Sequence, residues 1–218
     1  MRLYLYDHCP YCIRVLLGAR LKALPVELIY LPYDDAATPL RLIGRKMLPI
    51  WQDDEGYMGE SLDILHKIDR MQGARLFDGP ESPAITGWIT VWKPVIWDLV
   101  LPRVADPRFP EFRSAQARAA FTAVKEQRHG SFPALRAGTD RLLAELAEGL
   151  VALEPLLPVP ARAGLDDILL FPVLRTLAVV EGLSLPPRVS AYCAEILHRS
   201  GIIWPGALPP LTPAEARS

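Results

Sequence analysis

The stretch Leu3-Tyr-Leu-Tyr-Asp-His-Cys-Pro-Tyr-Cys12 decides the fold of the first part of the chain. Its alternating leucines predict a short β-strand, and the apolar residues that follow, over 13–22, recur at helical spacing. The Cys-Pro-Tyr-Cys motif therefore lies at a strand-to-helix turn. The positive end of the helix favours a thiolate on Cys9, and Cys12 follows one turn later, close enough to close a disulfide. The pattern predicts a redox-active cysteine pair.

Within this motif each residue has a predicted role. Cys9 is the expected nucleophile, because unpaired N–H groups at a helix start can hold a thiolate. Cys12, one turn deeper, is the expected resolving thiol. Pro10 suits the first helical turn, where its missing N–H costs nothing, and Tyr11 offers an aromatic wall beside the sulfur. A protonated His8 would lower the thiol pKa further, although a solvent-facing bystander fits the sequence equally well.

The composition predicts a soluble redox protein of a reducing compartment. The chain has 218 residues, half of them hydrophobic and 22% charged, with a formal net charge of −1. A nearly neutral chain without a basic face predicts no nucleic-acid partner and no membrane-surface binding. No unbroken apolar run reaches the roughly 18 residues of a membrane span, and a strand at the N-terminus leaves no room for a signal peptide. We therefore expect a cytoplasmic protein, in which a Cys-x-x-Cys motif is catalytic or metal-binding.

The cysteine and histidine counts argue against a metal site. The chain has three cysteines and four histidines, and the histidines are scattered singly, whereas zinc needs a second ligand pair at close spacing. We predict that no metal is bound. The third cysteine, Cys193, falls within a late helix and is expected to be a small buried hydrophobic residue.

The rest of the chain divides into an α/β part and an all-α part. The first 75 residues predict the order βαβαββα, with Thr38-Pro39 starting the second helix and Gly44 ending it. After residue 80 no strand pattern appears, and apolar stripes predict helices over 85–99, 114–128, 135–153, 168–177 and 189–197. The predicted domains are 1–75 with the redox site, a linker at 76–82, and an all-helical domain at 83–218. In the proline-rich tail, 201–218, residues 202–204 could dock on the helical body.

Two further dipeptides have both a structural and a functional interpretation. Leu48-Pro49 opens the third strand, and its proline can simply protect a sheet edge. A cis Leu48–Pro49 bond would instead expose backbone groups to an extended, peptide-like ligand. Glu60-Ser61 reads as a helix cap, yet the same cap offers N–H groups to a carboxylate and a negative charge to an ammonium group. A free amino-acid head group carries both charges.

Together, Cys9-Pro10-Tyr11-Cys12, Leu48-Pro49 and Glu60-Ser61 resemble the glutaredoxin family. With its helical second half the chain is similar to the bacterial two-domain glutaredoxin-2 type, which has a thioredoxin-like first domain and a glutathione transferase-like architecture. Further stretches agree with this resemblance, among them Asp34-Asp35, Leu101-Pro-Arg103 and Leu170-Phe-Pro-Val-Leu-Arg175. The similarity extends to about Tyr192 and is specific in the first half.

The resemblance implies a glutathione site. Cys9, after Pro10, would face the glutathione sulfur with Tyr11 beside it, and Leu48 next to a cis Pro49 would pair with the backbone of the tripeptide. Glu60 and Ser61 would hold its γ-glutamyl ammonium and carboxylate groups, and Lys46 is a candidate for the glycine carboxylate. Gly164 stands where transferase-like folds usually have a Ser or Thr helix cap.

The implied function is glutathione-dependent thiol–disulfide exchange. The enzyme would reduce disulfide-bonded and glutathionylated proteins through the Cys9/Cys12 dithiol, with glutathione as reducing co-substrate. A monomer is expected, because no dimer feature stands out in the sequence. A glutathione transferase that conjugates electrophiles is the main alternative, although it would make Cys12 superfluous. A non-enzymatic glutathione-binding interaction protein is the second alternative, and the intact dithiol argues against it.

Overall fold

The computed structural model describes residues 1–158 and 163–205 and groups the chain into two compact units. The first unit contains Met1–Asp78 and Ala105–Arg128, and the second contains Gly79–Val104 and the chain from His129 onward. The predicted domain boundaries, 1–75 and 83–218 around a linker at 76–82, differ from this grouping because they assign residues 105–128 to the helical half. The predicted tail beyond residue 205 lies outside the described residues.

Residues 1–78 of the first unit form a four-stranded sheet and three helices in the predicted order βαβαββα, which is confirmed. These elements are β1 Arg2–Leu5, α1 Pro10–Leu21, β2 Glu27–Tyr30, α2 Ala37–Ile43, β3 Ile50–Asp53, β4 Gly56–Met58 and α3 Ser61–Met71. The strand order is β2-β1-β3-β4, with β1 parallel to β2 and the other pairs antiparallel. The parallel βαβ unit therefore comes first and the hairpin last, as in a thioredoxin-like fold.

The buried residues of this unit follow the alternation of its strands and the helical spacing of its helices. Leu3 and Leu5 both have no exposed surface, as alternation on a half-buried strand requires. Helices α1 and α3 pack against each other, and their buried faces carry Ile13, Leu17 and Ile64. This packing fixes the N-terminus of α1, and with it the cysteine pair, at the end of β1.

The start of α2 differs from the expectation. The helix begins at Ala37, two residues before Pro39, the predicted first helical residue, so Thr38 lies within the helix and its hydroxyl does not cap it. The Asp35 carboxylate accepts the Thr38 backbone N–H instead, at 2.9 Å, because it is three residues upstream of that otherwise unpaired amide. The helix ends at Gly44, which has a φ of +73° as a terminating glycine allows.

Residues 105–128 add a short 3₁₀ turn, Pro110–Phe112, and most of helix α5, Ala115–His129, to the first unit. The backbone N–H of Tyr33 donates to the carbonyl of Glu111 at 3.0 Å. The ring of Tyr33 also packs against Phe112 and Phe121, with centroid separations of 5.6 and 5.0 Å. These contacts, and not the order of the chain, place the segment with the sheet.

The described residues of the second unit form helices and connecting segments without a strand, as predicted. Its helices are α4 Pro83–Val104, α6 Phe132–Ala137, α7 Thr139–Leu153, α8 Leu165–Thr176 and α9 Pro187–Ser200, with 3₁₀ turns at Glu154–Leu156 and Leu177–Val179. The stripe predicted as one helix over 135–153 forms two helices, α6 and α7, which meet at Gly138. Helix α8 is buried from Asp167 to Thr176 and forms the centre of the unit.

Helix α4 packs against α6, α7 and α8, and its apolar stripe is partly buried there. Within the part of the chain that the structure describes, α4 is the one helix long and apolar enough to cross a membrane, a test that the core helix of a soluble protein also passes. The indole N–H of Trp88 donates to the carbonyl of Gly149 at 2.7 Å, which ties α4 to α7. Among the described tail residues, Ile202 and Trp204 are buried, whereas Ile203 is exposed.

Candidate active site

The cysteine pair lies at the N-terminus of α1. Cys9 is the N-cap residue in an extended conformation, Pro10 is the first helical residue, and the Cys9 carbonyl accepts the N–H of Ile13 at 3.0 Å. Cys9 is a partly exposed residue, whereas Cys12 has no exposed surface. All three cysteines are free thiols, and the Cys12 sulfur accepts the backbone N–H of Tyr6 at 3.4 Å. The first cysteine of the pair is therefore the more accessible residue, and the second is fully buried.

The surroundings of the cysteine pair make the Cys9 thiol more acidic and the Cys12 thiol less acidic than usual. A hydrogen bond from the Cys12 thiol, assisted by the positive charge of His8 and by the backbone N–H groups of Tyr11 and Cys12, lowers the pKa of Cys9 to about 6 against the cost of burial. Burial raises the pKa of Cys12 well above its ordinary value, and its hydrogen bond to Cys9 adds to this effect. At neutral pH the pair therefore holds one thiolate, on the Cys9 sulfur.

His8 is held inside the first unit. Its side chain is 12% exposed, and its Nδ1 atom lies 2.6 Å from Oε1 of Glu111, whose side chain is fully buried. The backbone N–H of His8 donates to the same oxygen at 2.9 Å. The solvent-facing alternative for His8 therefore does not describe its position.

Aromatic rings surround the His8 imidazole. The ring of Tyr6 stacks on it at 5.6 Å, Phe112 lies at 4.8 Å, and Phe121 meets it edge-on at 5.5 Å. Tyr33 and Phe109 complete the surroundings at slightly larger separations. The imidazole is therefore fixed in orientation by packing as well as by the Glu111 carboxylate.

A cleft of about 520 Å³ contains most of the predicted glutathione contacts. Its lining includes the predicted residues Tyr11, Leu48, Pro49, Glu60 and Ser61. The Leu48–Pro49 peptide bond is cis, the geometry that the family resemblance implied. The volume falls within the range of about 300–1,000 Å³ that is usual for small-molecule sites.

Helix α3 presents its N-terminus to this cleft. Glu60 occupies the N-cap position with a φ of +67° and makes no side-chain cap, and its carboxylate pairs with Arg45 at 3.1 Å. Ser61 is the first helical residue, and its hydroxyl accepts a hydrogen bond from Arg14 at 3.0 Å. The first amides of α3, which have no partner within a helix, are therefore oriented for an anionic ligand.

Two charged residues of this cleft were not predicted from the sequence. Arg14 lies on α1, with its guanidinium 5.2 Å from the centre of the Tyr11 ring, and Asp63 lies in the first turn of α3. A single arginine among the buried residues of α1, from Cys12 to Ala19, is the signal that could have indicated Arg14. Together they place a cation and a second carboxylate beside Glu60 and Ser61.

The remaining predicted residues occupy other positions. Among the described residues, the cleft lining does not include Cys9, Pro10 or Lys46. The Lys46 ammonium lies 5.1 Å from the centre of the Tyr33 ring. Cys193 has no exposed surface, and burial raises its pKa, as expected for a structural residue. Within the described parts of the chain, no cluster of His, Cys, Asp and Glu side chains could hold a metal ion.

An acidified, partly exposed cysteine and a buried second thiol at a β1–α1 turn define a thiol–disulfide oxidoreductase with a thioredoxin-like fold. Comparison with known proteins gives the family. A family model described as "Glutaredoxin 2, C terminal domain" matches residues 84–203, and a model of the glutathione S-transferase N-terminal domain matches residues 3–76. The chain belongs to the glutaredoxin 2 family.

Glutaredoxin 2 of Escherichia coli K12 is 43% identical over 197 residues, which cover 88% of this chain and 92% of that protein. The crystal structure of glutaredoxin 2 from Salmonella typhimurium, in complex with glutathione, superposes with a TM-score of 0.89 and 38% identity, covering 93% of this chain and 95% of that one. A glutathione S-transferase from Methylobacterium radiotolerans, at 22% identity and a TM-score of 0.59, shares the fold alone.

Glutaredoxin 2 homologues are glutathione-dependent oxidoreductases, so the predicted enzyme class and its co-substrate, glutathione, are confirmed. The predicted fold, a thioredoxin-like domain with a helical, glutathione transferase-like second part, is confirmed as well. The domain boundaries, the roles of individual residues, the protein substrates, the oligomeric state and the compartment stay predictions.

Proposed function

We propose that this protein reduces disulfides and protein–glutathione mixed disulfides with glutathione, with Cys9 as the nucleophile and Cys12 as the resolving thiol. The observation that carries the proposal is the difference in exposure and acidity between the two cysteines. Cys9 is partly exposed with its pKa lowered to about 6, whereas Cys12 is buried with a raised pKa. A thiolate is the attacking species in exchange, so the Cys9 sulfur reacts first.

The reaction follows from this arrangement. The Cys9 thiolate attacks the glutathione sulfur of a glutathionylated protein, and the protein thiolate leaves and takes up a proton. A second glutathione thiolate then attacks the glutathione sulfur bound to Cys9, which releases oxidised glutathione and restores the Cys9 thiolate. With a protein disulfide, Cys12 instead displaces the substrate from Cys9, and two glutathione molecules reduce the resulting Cys9–Cys12 disulfide.

The cleft beside Tyr11 supplies the proposed glutathione site. The carboxylates of Glu60 and Asp63 suit the γ-glutamyl ammonium group. The α-carboxylate would meet the first amides of α3, with Ser61 held by Arg14 beneath them. Pro10, Leu48 and Pro49 would contact the cysteinyl part, and Lys46 remains the candidate for the glycine carboxylate.

Cysteine variants test the assigned roles. In a glutathione-coupled reduction assay, Cys9→Ser should abolish turnover of every substrate. Cys12→Ser should keep the reduction of glutathionylated protein and lose most reduction of intramolecular protein disulfides. Equal loss in both variants would contradict the division of labour, and conjugation of an electrophile without disulfide reduction would favour the transferase alternative. Glutathione binding without any turnover would favour the non-enzymatic one.

The glutathione site has its own test. Arg14→Gln should raise the KM for glutathione about tenfold, because a hydrogen bond to a charged group contributes about 1.5–3 kcal/mol and each 1.4 kcal/mol is about a factor of ten. Arg20→Gln, an exposed arginine two turns later on the same helix, is the matched control and should leave the KM unchanged. An unaltered KM in Arg14→Gln would remove Arg14 from the proposed site.

We also propose that the protein acts in the cytoplasm as a monomer, on disulfide-bonded or glutathionylated proteins. Glutaredoxin potentials of about −200 to −230 mV allow reduction by the cytosolic glutathione pool. Light scattering coupled to size exclusion would test the monomer, and fractionation of cells that express a tagged chain would test the compartment. Trapping of mixed disulfides on Cys12→Ser would identify the protein substrates.

A further inference from the structure

Glu111 has no role in the exchange chemistry described above, yet it lies directly behind the redox site. It is 103 residues away from His8 in the chain, and its carboxylate contacts both the Nδ1 atom and the backbone N–H of His8 through one oxygen. The side chain has no exposed surface, and its second oxygen, Oε2, has no hydrogen-bond partner among the described residues. Such a group needs an explanation, because buried polar atoms are nearly always paired.

A fully buried carboxylate is costly unless a positive charge compensates it. The His8 imidazole is in position to do so, since a proton on Nδ1 points to Oε1 at 2.6 Å. The aromatic rings of Tyr6, Phe112 and Phe121 hold the imidazole in this orientation. A charged His8 in turn adjoins Cys9 in the chain and favours its thiolate.

We propose that Glu111 is a positioning residue of the redox site, which holds the His8 imidazole as a charged and oriented group beside Cys9. Residues 105–128 would then contribute to the chemistry of the cysteine pair as well as to the packing of the first unit. The inference rests on the proposed function in one respect, that Cys9 is the reacting thiol.

Other ionisable groups lie near the aromatic rings that surround His8, and their charges also act on this site. The ammonium group of Lys125 lies 5.6 Å from the centre of the Phe121 ring, and the negative charge of Cys9 acts on it. Lys46 lies over Tyr33, and the positive charge of Arg128 also acts on that tyrosine. The remaining titratable groups around His8 are Tyr6, Tyr33, Cys9 and Cys12, with Asp7 next to it in the chain.

The direction in which Glu111→Gln shifts the Cys9 pKa separates the proposal from a purely structural role. A Glu111 that acted only as a nearby negative charge would disfavour the Cys9 thiolate, so Glu111→Gln would lower the Cys9 pKa. A Glu111 that keeps His8 charged has the opposite effect, since Glu111→Gln would then leave a neutral imidazole and the Cys9 pKa would rise. An opposite charge at short range shifts a pKa by about 1–3 units, and we expect a rise of about one unit.

The experiment is the pH dependence of Cys9 alkylation by iodoacetamide in the full-length protein, without glutathione. His8→Phe, which retains an aromatic ring in the cluster, should raise the midpoint by a similar amount. The double variant should raise it no further than His8→Phe alone, because both changes remove the same charge. A lowered or unchanged midpoint in Glu111→Gln, or additive shifts in the double variant, would overturn the proposal.

Two controls keep the result interpretable. Thermal unfolding of each variant establishes that the pH profile is measured on folded protein. If Glu111→Gln does not fold, His8→Phe decides alone, and an unchanged midpoint there refutes the proposal. Because the alkylation assay contains no glutathione, a negative result would refute only the proposed role of Glu111. A failure of the proposed function would appear instead as turnover that persists in Cys9→Ser.

Discussion

The hydrogen bond between the two active-site thiols makes the sharpest prediction. The Cys12 thiol is the largest cause of the low Cys9 pKa of about 6. A thiol with this pKa is about 90% ionised at pH 7, whereas a free cysteine at about 8.5 is only about 3% ionised. Cys12→Ala removes the donor and leaves the helix terminus and His8 in place.

The expected size follows from the strength of such a bond. A hydrogen bond to a charged group contributes about 1.5–3 kcal/mol, and one pKa unit corresponds to about 1.36 kcal/mol. The Cys9 pKa should therefore rise by about one to two units in Cys12→Ala, to about 7–8. Cys12→Ser, which keeps a hydroxyl donor, should give a smaller rise.

The assay is the rate of iodoacetamide alkylation at Cys9, followed by mass spectrometry from about pH 4 to about pH 9, a range that brackets the free-cysteine value. The midpoint is the quantity to compare, because the reactivity of each thiolate rises with its pKa and partly offsets the loss of thiolate. Cys193→Ala is the control, since that thiol is fully buried, and it should leave the midpoint at the wild-type value.

Two results would refute the reasoning. A wild-type midpoint close to that of a free cysteine would show that the site does not acidify Cys9. An unchanged midpoint in Cys12→Ala would show that the acidity comes from the helix terminus and His8 instead.

Two stability predictions concern the rest of the fold. A Cβ at Gly149 would lie 2.6 Å from Cε3 of Trp92, so Gly149→Ala should destabilise the protein by about 1–3 kcal/mol through overpacking. At Gly87 nothing lies within 4 Å of an added Cβ, so Gly87→Ala should stabilise the protein by about 0.5–1 kcal/mol. Urea denaturation compares the free energies of unfolding of the two variants. Asp69→Ala should cost about 3–5 kcal/mol, because it strands a buried lysine. Glu145→Ala, which breaks an exposed pair, should cost under about 0.5 kcal/mol, and similar losses in both would contradict the burial argument.

Local sequence patterns were sufficient to predict much of the secondary structure of this protein. The period-2 leucines before Cys9 and the helical spacing after it predict a strand and a helix from neighbouring residues alone, and both elements are present at β1 and α1. The motif at their junction brings its own chemistry, because the end of any helix provides unpaired N–H groups. The absence of strand patterns after residue 80 likewise predicted the helical second part.

Pairings across the chain could not be predicted in this way. Residues 105–128 read as part of a helical half, and only their packing on Tyr33 and His8 places them with the sheet. Arg14 looks like an ordinary helical arginine until its contact with Ser61, 47 residues later, is visible.

The sequence by itself determined where the two thiols lie in the fold, since the strand, the turn, the cysteine motif and the helix are encoded in one continuous stretch, Arg2 to Leu21. Tertiary structure alone decided the surroundings of those thiols: which carboxylate lies behind His8, and which guanidinium lies under Ser61. The physical reason is that periodicity and capping act over a few residues, whereas charge compensation and burial depend on contacts between residues far apart in the chain.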